Sequence, residues 1–363
     1  MHTQSSFRLL VVRLGAMGDI LHALPAVTAL RRAHPAWRIG WVVDPRWQPL
    51  LQAAIGDRRS GVSQPRTSAM PVADRLHFAS SREWKRHPFS AETIRSINDL
   101  RHELRAAQYN AVLDLQGAIR SAVIARISGC PRRIGEAHPR EWPAQWLFTE
   151  RIATRGAHVI EQDVELARAV AGDKFEAVAP LLPVDAEAEN WCAAWLAGHA
   201  AQTAARPLAL IAPGAGWGAK RWPPERYAAV AAGLKDRGLA VLVNAGPGEE
   251  SLVVPIVAAG AAIPVDATLA QLMALTRRVA LAIGGDTGPL HLAAALGRPV
   301  VGIYGPTDPS RNGPYGTRAR VLRSPGSRRD HTRRDAPEAG LLTIAPEDVL
   351  RAADELLSEK KSV

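Results

Sequence analysis

The sequence predicts an α/β fold built as two successive doubly wound halves, and three observations predict it. Short apolar runs of strand length recur at 8–13 (RLLVVR), 38–44 (RIGWVVD), 110–116 (NAVLDLQ) and 208–212, with helical patterns among them. The rhythm restarts after Ala179–Glu189, a stretch with two prolines that reads as an interdomain link. At 363 residues the chain is also too long for one ordinary core, and two domains of roughly 150 to 180 residues are expected. The domains read as 1–180 and 181–345, followed by a C-terminal helix over 346–363 whose apolar side is available to pack back on the first domain.

In the first half the strand at 8–13 leads into Leu14-Gly15-Ala16-Met17-Gly18-Asp19. A helix follows with Ile20, Leu21, Leu24, Val27 and Leu30 at its apolar positions, and Pro25 is tolerated only because it lies early. Strand, glycine-bearing loop and helix are how a nucleotide-binding βαβ unit opens, although the full G-x-G-x-x-G is missing. Gly18 marks a close backbone approach. Asp19 is a lone carboxylate at the helix N-terminus facing the strand's carboxyl end, and the roles of N-cap and catalytic group are both open to it. Gly56–Met70 is polar and Ser/Arg-rich, a loop or lid. Ser81–His87 then sets Arg82, Lys85 and Arg86 around Trp84. Basic plus aromatic can serve nucleic acid, but no helix-turn-helix, RNP or finger motif is present, and anchoring an anionic group on a short loop fits as well.

An amphipathic helix over 91–107 carries Ile94, Ile97, Leu100 and Leu104 on one face. The strand at 110–116 ends at Gly117, with Arg120 opening the next helix. Residues 131–155 are dense in arginine and tryptophan, including Arg132, Arg133, Arg140, Trp142 and Trp146, and some of these tryptophans are expected in the core. Glu161–Val170 is a further helix.

The second half runs strand 208–212, glycine-rich loop Pro213-Gly214-Ala215-Gly216-Trp217-Gly218, helix Tyr227–Asp236, strand Leu239–Asn244 and turn Gly246–Glu250. Beside Lys220 and Arg221 the loop is either a phosphate cradle or a plain turn, and P-loop spacing is absent. The most informative run is Ile283–Pro309, IGGDTGPLHLAAALGRPVVGIYGPTDP, which reads as a strand end, a loop, a short helix closed by Gly297, and a buried strand ending at Gly305-Pro306-Thr307. Asp286, Thr287, Gly288 and His291 fall where strand gives way to helix, so unpaired N–H groups and the positive dipole end face whatever binds there. Ligands of open α/β sheets bind outside the strands' carboxyl ends. A phosphorylated ligand is therefore expected. Ser324–Gly340 reads as a surface loop, and Pro346–Leu357 as an amphipathic helix with Val349, Leu350, Ala353, Leu356 and Leu357 on its apolar side.

Charge speaks about partners. Residues 1–180 hold 25 Lys/Arg against 17 Asp/Glu, and the remainder 20 against 18, so the first half carries most of the formal +10. An anionic membrane surface, nucleic acid or an acidic substrate would each suit it. No apolar run approaches the roughly 18 residues of a membrane span, and no secretory signal pattern is present; a soluble cytoplasmic protein is expected. Cys130 and Cys192 lie far apart without metal-ligand spacing and read as free thiols.

Five segments, MGDILHALPAV, SREWKRHPFS, YNAVLDLQGAIRSA, PGAGWGAKRWP and GGDTGPLHLAAALGRPVVGIYGPTDP, together resemble the heptosyltransferases that build the lipopolysaccharide inner core, most of all the heptosyltransferase I type. The resemblance spans nearly the whole chain. It implies a GT-B architecture, two Rossmann-like domains facing across a cleft, with the acceptor on the N-terminal one and the nucleotide-sugar donor on the C-terminal one. It implies inverting transfer of heptose from ADP-L-glycero-β-D-manno-heptose to the Kdo of Kdo-lipid A, with peripheral contact at the cytoplasmic face of the inner membrane and no nucleic-acid partner. Asp19, beside Gly18, would be the general base, since a carboxylate within reach of an alcohol suits proton abstraction. Lys220 would meet the donor phosphates and stabilise departing ADP, where charge develops in the transition state. Gly214 and Gly216 would border the donor, Glu249 would hold the ribose and Asp286 a sugar hydroxyl, with Thr287, Gly288 and His291 around the diphosphate. Arg82, Lys85, Arg86, Arg120 and Arg140 would hold the anionic acceptor. No D-x-D occurs, so no metal or other cofactor is expected and Lys220 with the helix end would replace the cation.

Two features depart from the heptosyltransferase I pattern. The glycine-rich loop is closer to heptosyltransferase II in its glycines, and Glu83 stands where another cation is expected. A related ADP- or UDP-sugar transferase acting on a different acidic glycan therefore stays open. So do a nucleotide-sugar epimerase or nicotinamide oxidoreductase on a similar sheet, and a basic binding protein without chemistry. The last would keep all activity in Asp19→Ala and Asp286→Ala. His22 reads as a helix-face residue, and Trp217 as a stack for the donor or a cover for the loop.

Overall fold

The computed structural model describes residues 6–52, 71–330 and 332–359. The polar stretch expected as a loop or lid at 56–70 lies outside them, as does residue 331. The chain divides into two compact units, Met1–Pro183 and Val184–Val363.

The first unit runs β1 (Arg8–Val12), α1 (Met17–Ala33), β2 (Arg38–Val43), β3 (Arg75–Phe78), α2 (Ser81–Arg86), α3 (Ala91–Ala106), β4 (Ala111–Asp114), α4 (Ile119–Ile127), β5 (Arg133–Glu136), β6 (Glu150–Ile152) and α5 (Val159–Ala171). Its sheet has the order β3-β2-β1-β4-β5-β6, every neighbour parallel. Leu9, Leu10, Val11 and Val12 are wholly buried. Helices cover both faces of such a sheet, so its central strand reads as a continuous apolar run and not as an alternation. α1 packs along α5 and is buried almost all round, Pro25 included. Its one deeply buried cation, Arg31, is paired as burial requires: Nη2 reaches Asp74 Oδ2 at 2.6 Å, Nη1 donates to the Trp37 carbonyl, and Asp74 also accepts the Ile39 N–H. This pins the helix's C-terminal end to β2.

The second unit runs α6 (Ala186–Gly198), α7 (Ala200–Thr203), β7 (Leu208–Ala212), α8 (Pro224–Asp236), β8 (Ala240–Val243), α9 (Glu250–Ala258), β9 (Ile263–Pro264), α10 (Leu269–Thr276), β10 (Leu281–Gly285), α11 (Gly288–Ala295), β11 (Val300–Tyr304), α12 (Pro309–Asn312), β12 (Ala319–Arg323) and α13 (Pro346–Ser358). Its parallel sheet has the order β9-β8-β7-β10-β11-β12, the first unit's pattern repeated. In each unit the order of strands reverses once, between β1 and β4 and between β7 and β10. Those are the switch points at which open α/β sheets take ligands.

Three sequence expectations need correction. The basic cluster at 81–87 is a helix, α2, and not a loop: Trp84 packs on the first core and its indole N–H meets Ser96 Oγ at 3.3 Å. Only the C-terminal half of the α3 stripe is buried, Leu100 and Leu104, while Ile94 is exposed. Trp142 and Trp146 are not core but 60 % and 66 % exposed, on a 3-10 helix over Trp142–Leu147. Val349, Ala352, Ala353 and Leu356 of α13 fill the second unit's core with Trp222, Val230 and Leu234.

Both cysteines are buried free thiols, and no helix among the described residues is long and apolar enough to cross a membrane. Leu356 is fully buried in the second core. Leu356→Ala should lower unfolding stability by roughly 2–5 kcal/mol, read from the urea midpoint; a loss near zero would show that α13 is not part of that core.

Candidate active site

β7 and β10 are paired up to Ala212 opposite Gly284, so the loops leaving their carboxyl ends lie side by side. Lys220 ends a one-turn 3-10 helix, Gly218–Lys220, in the first loop. Its Nζ donates to Asp286 Oδ2 at 2.5 Å, and both side chains are only 10 % exposed. His291, in the first turns of α11, places Nε2 2.9 Å from the other oxygen, Asp286 Oδ1. Burial on its own would push the Asp286 carboxyl up. The His291 hydrogen bond and the Lys220 charge outweigh it and hold the group well below the usual carboxylate range. Asp286 is therefore an acceptor at physiological pH, fit to receive a hydroxyl's hydrogen bond. Lys220 Nζ also lies 4.5 Å from the Trp217 ring centre, a cation–π distance.

α11 begins at Gly288 with Thr287 as N-cap, and Thr287 makes no side-chain cap bond. The helix thus presents its first N–H groups beside Asp286. Glu249 precedes α9, accepts the Ala215 N–H at 3.0 Å and the Gly246 N–H at 3.3 Å, and lies 3.7 Å from Arg221. It ties the loops after β7 and β8 together. The loop glycines have separate causes. A Cβ on Gly214 would lie 2.0 Å from Glu249 Oε2, and one on Gly218 would lie 1.8 Å from the Asp335 carbonyl oxygen. Gly216 alone borders open space, with nothing within 4 Å of a Cβ position.

In the first unit Ala16, not Asp19, is the N-cap of α1. Asp19 sits three residues in, and its Oδ2 accepts the Ala16 N–H at 3.0 Å, as in a capping box. Arg13 Nη2 stands 3.2 Å from the other oxygen, and the Asp19 side chain remains 39 % exposed. Each oxygen is thus oriented by one donor and keeps a further lone pair. Arg13 is itself buried at the end of β1 and also donates to the Leu115 carbonyl. Sequence reasoning missed it; the available signal was a charged residue closing an apolar strand.

Across the switch point, Gln116 accepts the Leu14 N–H at 2.8 Å, and buried Asp114 accepts the N–H groups of Gln116 and Gly117. Burial pushes the Asp114 carboxyl up to about 6 despite those bonds. Gly117 has φ of +63°, and Glu141 spans back to the N–H of Ile119 at 2.9 Å. The segments bearing Arg120 and Arg140 are therefore held together, beside the strand next to β1. Arg82, Lys85 and Arg86 are exposed on α2 after β3, two strands from β1, and Arg86 pairs with Glu83 at 3.0 Å. Gly18 lies in the first turn of α1 beside Asp19. His22 is buried, edge-on to His158 at 5.5 Å, and so faces the interior. No group of three or more His, Cys, Asp or Glu side chains that could hold a metal occurs among the described residues.

Comparison with known proteins bears on the family and the fold. The model of glycosyltransferase family 9 (heptosyltransferase) matches residues 97–340. Lipopolysaccharide heptosyltransferase 1 of Escherichia coli O18:K1:H7 is 29 % identical over 334 residues, 88 % of this chain and 92 % of that protein. Lipopolysaccharide heptosyltransferase 2 of Escherichia coli K12 is 26 % identical over 72 % of this chain and 80 % of that protein. In fold, the solved structure of E. coli heptosyltransferase WaaC with ADP superposes with a TM-score of 0.75 at 24 % identity, over 96 % of this chain and 100 % of that one. Two parallel Rossmann-like sheets of GT-B type and a family match over well over half its length carry one conclusion: the chain belongs to glycosyltransferase family 9 and is a heptosyltransferase-type glycosyltransferase.

Proposed function

We propose that the chain moves a heptose, with inversion and without a metal ion, from ADP-L-glycero-β-D-manno-heptose to the Kdo of Kdo-lipid A in inner-core lipopolysaccharide synthesis. The observation that carries this is the Lys220–Asp286–His291 group at the β7/β10 switch point, a cation and an acceptor side by side at a helix start. In this reading the second unit holds the donor and the first the acceptor. Asp286 receives a sugar hydroxyl, and the α11 N–H groups with Lys220 take the diphosphate. The acceptor hydroxyl attacks the anomeric carbon while Asp19 takes its proton. The bond from that carbon to the diphosphate oxygen breaks, and the electron pair leaves with ADP. Lys220 stabilises that developing charge. Arg13 acts as a positioning residue by orienting the Asp19 carboxylate.

A second reading, a heptosyltransferase II-like enzyme acting on a different acidic glycan, is supported by the loop glycines. Turnover on Kdo-lipid A against its heptosylated form separates the two.

Peripheral contact of this cytoplasmic enzyme with an anionic membrane surface is part of the same proposal. Its support is the basic first half and an exposed patch: Trp142 and Trp146, 4.5 Å apart, beside exposed Ile119 and Val123 of the adjoining α4, with Arg120 and Arg140 at hand. Tryptophan with arginine suits the lipid interface.

Calorimetric titration without added metal should show binding of ADP and ADP-heptose over UDP and NAD, weakened more than about tenfold by Lys220→Ala. Preference for UDP would overturn the heptose donor, and binding of NAD alone would end the transferase reading. Asp19→Asn should leave ADP affinity unchanged and lower kcat by roughly 10²–10⁴; an unchanged kcat removes the base role. Anionic liposomes should float the protein at low salt and not at high, and Trp142→Ala with Trp146→Ala should reduce the floated fraction. No flotation at either salt removes the membrane contact.

A further inference from the structure

Residues 328–334 carry four arginines in seven positions, Arg328, Arg329, Arg333 and Arg334. Sequence reasoning left them in a surface loop without a task. Their backbone is fastened to the site at several points. The Ala219 N–H donates to the Arg334 carbonyl at 2.9 Å, the Glu338 N–H to the Ala219 carbonyl at 3.1 Å, and the Asp330 N–H to the Pro306 carbonyl at 3.1 Å. Asp330 is therefore tied to the loop after β11 and Arg334 to the loop after β7. Gly218 permits this, because any side chain there would meet the Asp335 carbonyl.

A census of ion pairs shows which charges are already met. Lys220 faces Asp286, Arg221 faces Glu249, Arg329 faces Asp308, and Arg334 faces Asp330. Arg328 and Arg333 are exposed and have no ion-pair partner among the described residues. Arg333 turns toward the site: its Cζ lies 5.9 Å from the centre of the same Trp217 ring that Lys220 Nζ approaches at 4.5 Å. Two cations thus share one indole, and a single carboxylate, Asp286, offsets only the inner one. Two polar atoms lie in the two loops to which the arginine segment is tied. Trp217 Nε1 and the hydroxyl of Thr307, a residue only 3 % exposed and next to Pro306, are buried without a hydrogen-bond partner. Buried polar atoms are bonded as a rule, and both of these can donate to an anion's oxygens.

We propose that this arginine-bearing strap is a second phosphate-binding element of the donor site, with Arg333 as its outer cation beside the Trp217 ring that Lys220 also approaches. The proposal rests on the donor reading above and extends it. With Lys220 offset by Asp286, the resting site offers little net positive charge to a nucleoside diphosphate, and Arg333 supplies it. Arg is suited to this because its planar guanidinium both stacks on an indole and binds phosphate oxygens in pairs.

The test is calorimetric titration of the full chain with ADP, inorganic pyrophosphate and adenosine. Arg333→Ala should weaken ADP and pyrophosphate about tenfold and leave adenosine unchanged. Arg333→Lys should recover part of the loss, and exposed Arg351→Ala, on α13, should change nothing. Gly218→Ala, which displaces the strap and keeps every arginine, should weaken pyrophosphate as well. Pyrophosphate and ADP binding equal to wild type in Arg333→Ala would overturn the strap and leave the donor reading standing. Pyrophosphate binding that depends on Arg333, with no preference for ADP over pyrophosphate, would keep the strap and overturn the nucleotide. Wild-type protein that binds neither would overturn both.

Discussion

Both sheets are parallel and covered by helices on both faces, and that constraint decides where chemistry can sit. Strand interiors such as Leu9–Val12 and Val300–Tyr304 have no water to face and hold almost nothing polar. Polar groups are driven to the strand ends, and at the carboxyl ends the helix starts add unpaired N–H groups. Where the strand order reverses, two neighbouring connections depart to opposite faces and leave a crevice. The repeated order places Asp19, Lys220 and Asp286 just beyond β1, β7 and β10. Charges that enter the interior are paired at once: Arg31 with Asp74, and Arg13 with Asp19 and a carbonyl.

The same rule explains why the Lys220–Asp286 pair has a third member. A buried ion pair recovers its desolvation cost only when the remaining lone pairs and protons are also met. His291 meets the second oxygen of Asp286, which leaves the carboxylate satisfied on one side when Lys220 turns to another anion. A two-residue pair would leave Asp286 unpartnered at that moment. In the proposed mechanism the triad therefore lets the lysine exchange partners at modest cost, as a cation serving a departing diphosphate must.

Much of this was legible in the sequence because it is written in local runs. The buried strands, the helix starts after them and the Asp286–His291 spacing all follow from neighbouring residues. What escaped depends on partners far along the chain. Gly214 and Gly218 look alike, yet one makes room for Glu249 and the other for Asp335. Arg13 reads as a strand residue until Asp19 folds back to it. α2 was hidden by its shortness, and what secures it is tertiary: Trp84 packs, partly buried, against the first unit's core. The exposed Trp142 and Trp146 escaped because composition assigns aromatics to cores, whereas the 3-10 turn that opens with Trp142-Pro143 points both rings outward.

Net charge misled in an instructive way. Counting by halves puts nearly all of the surplus in residues 1–180, where an anionic acceptor would be held, and leaves the second half close to balanced. Yet electrostatic recognition acts over about a Debye length, roughly 8–10 Å at physiological salt, not over a domain. Within that reach of Trp217 the strap sets Arg333, while Arg329 and Arg334 of the same strap are paired with Asp308 and Asp330, so a nearly neutral half contains a local positive surplus. The quantity that governs anion binding is the cation left over after local pairing. Beside Trp217 that remainder is Arg333, next to a Lys220 that Asp286 has already neutralised.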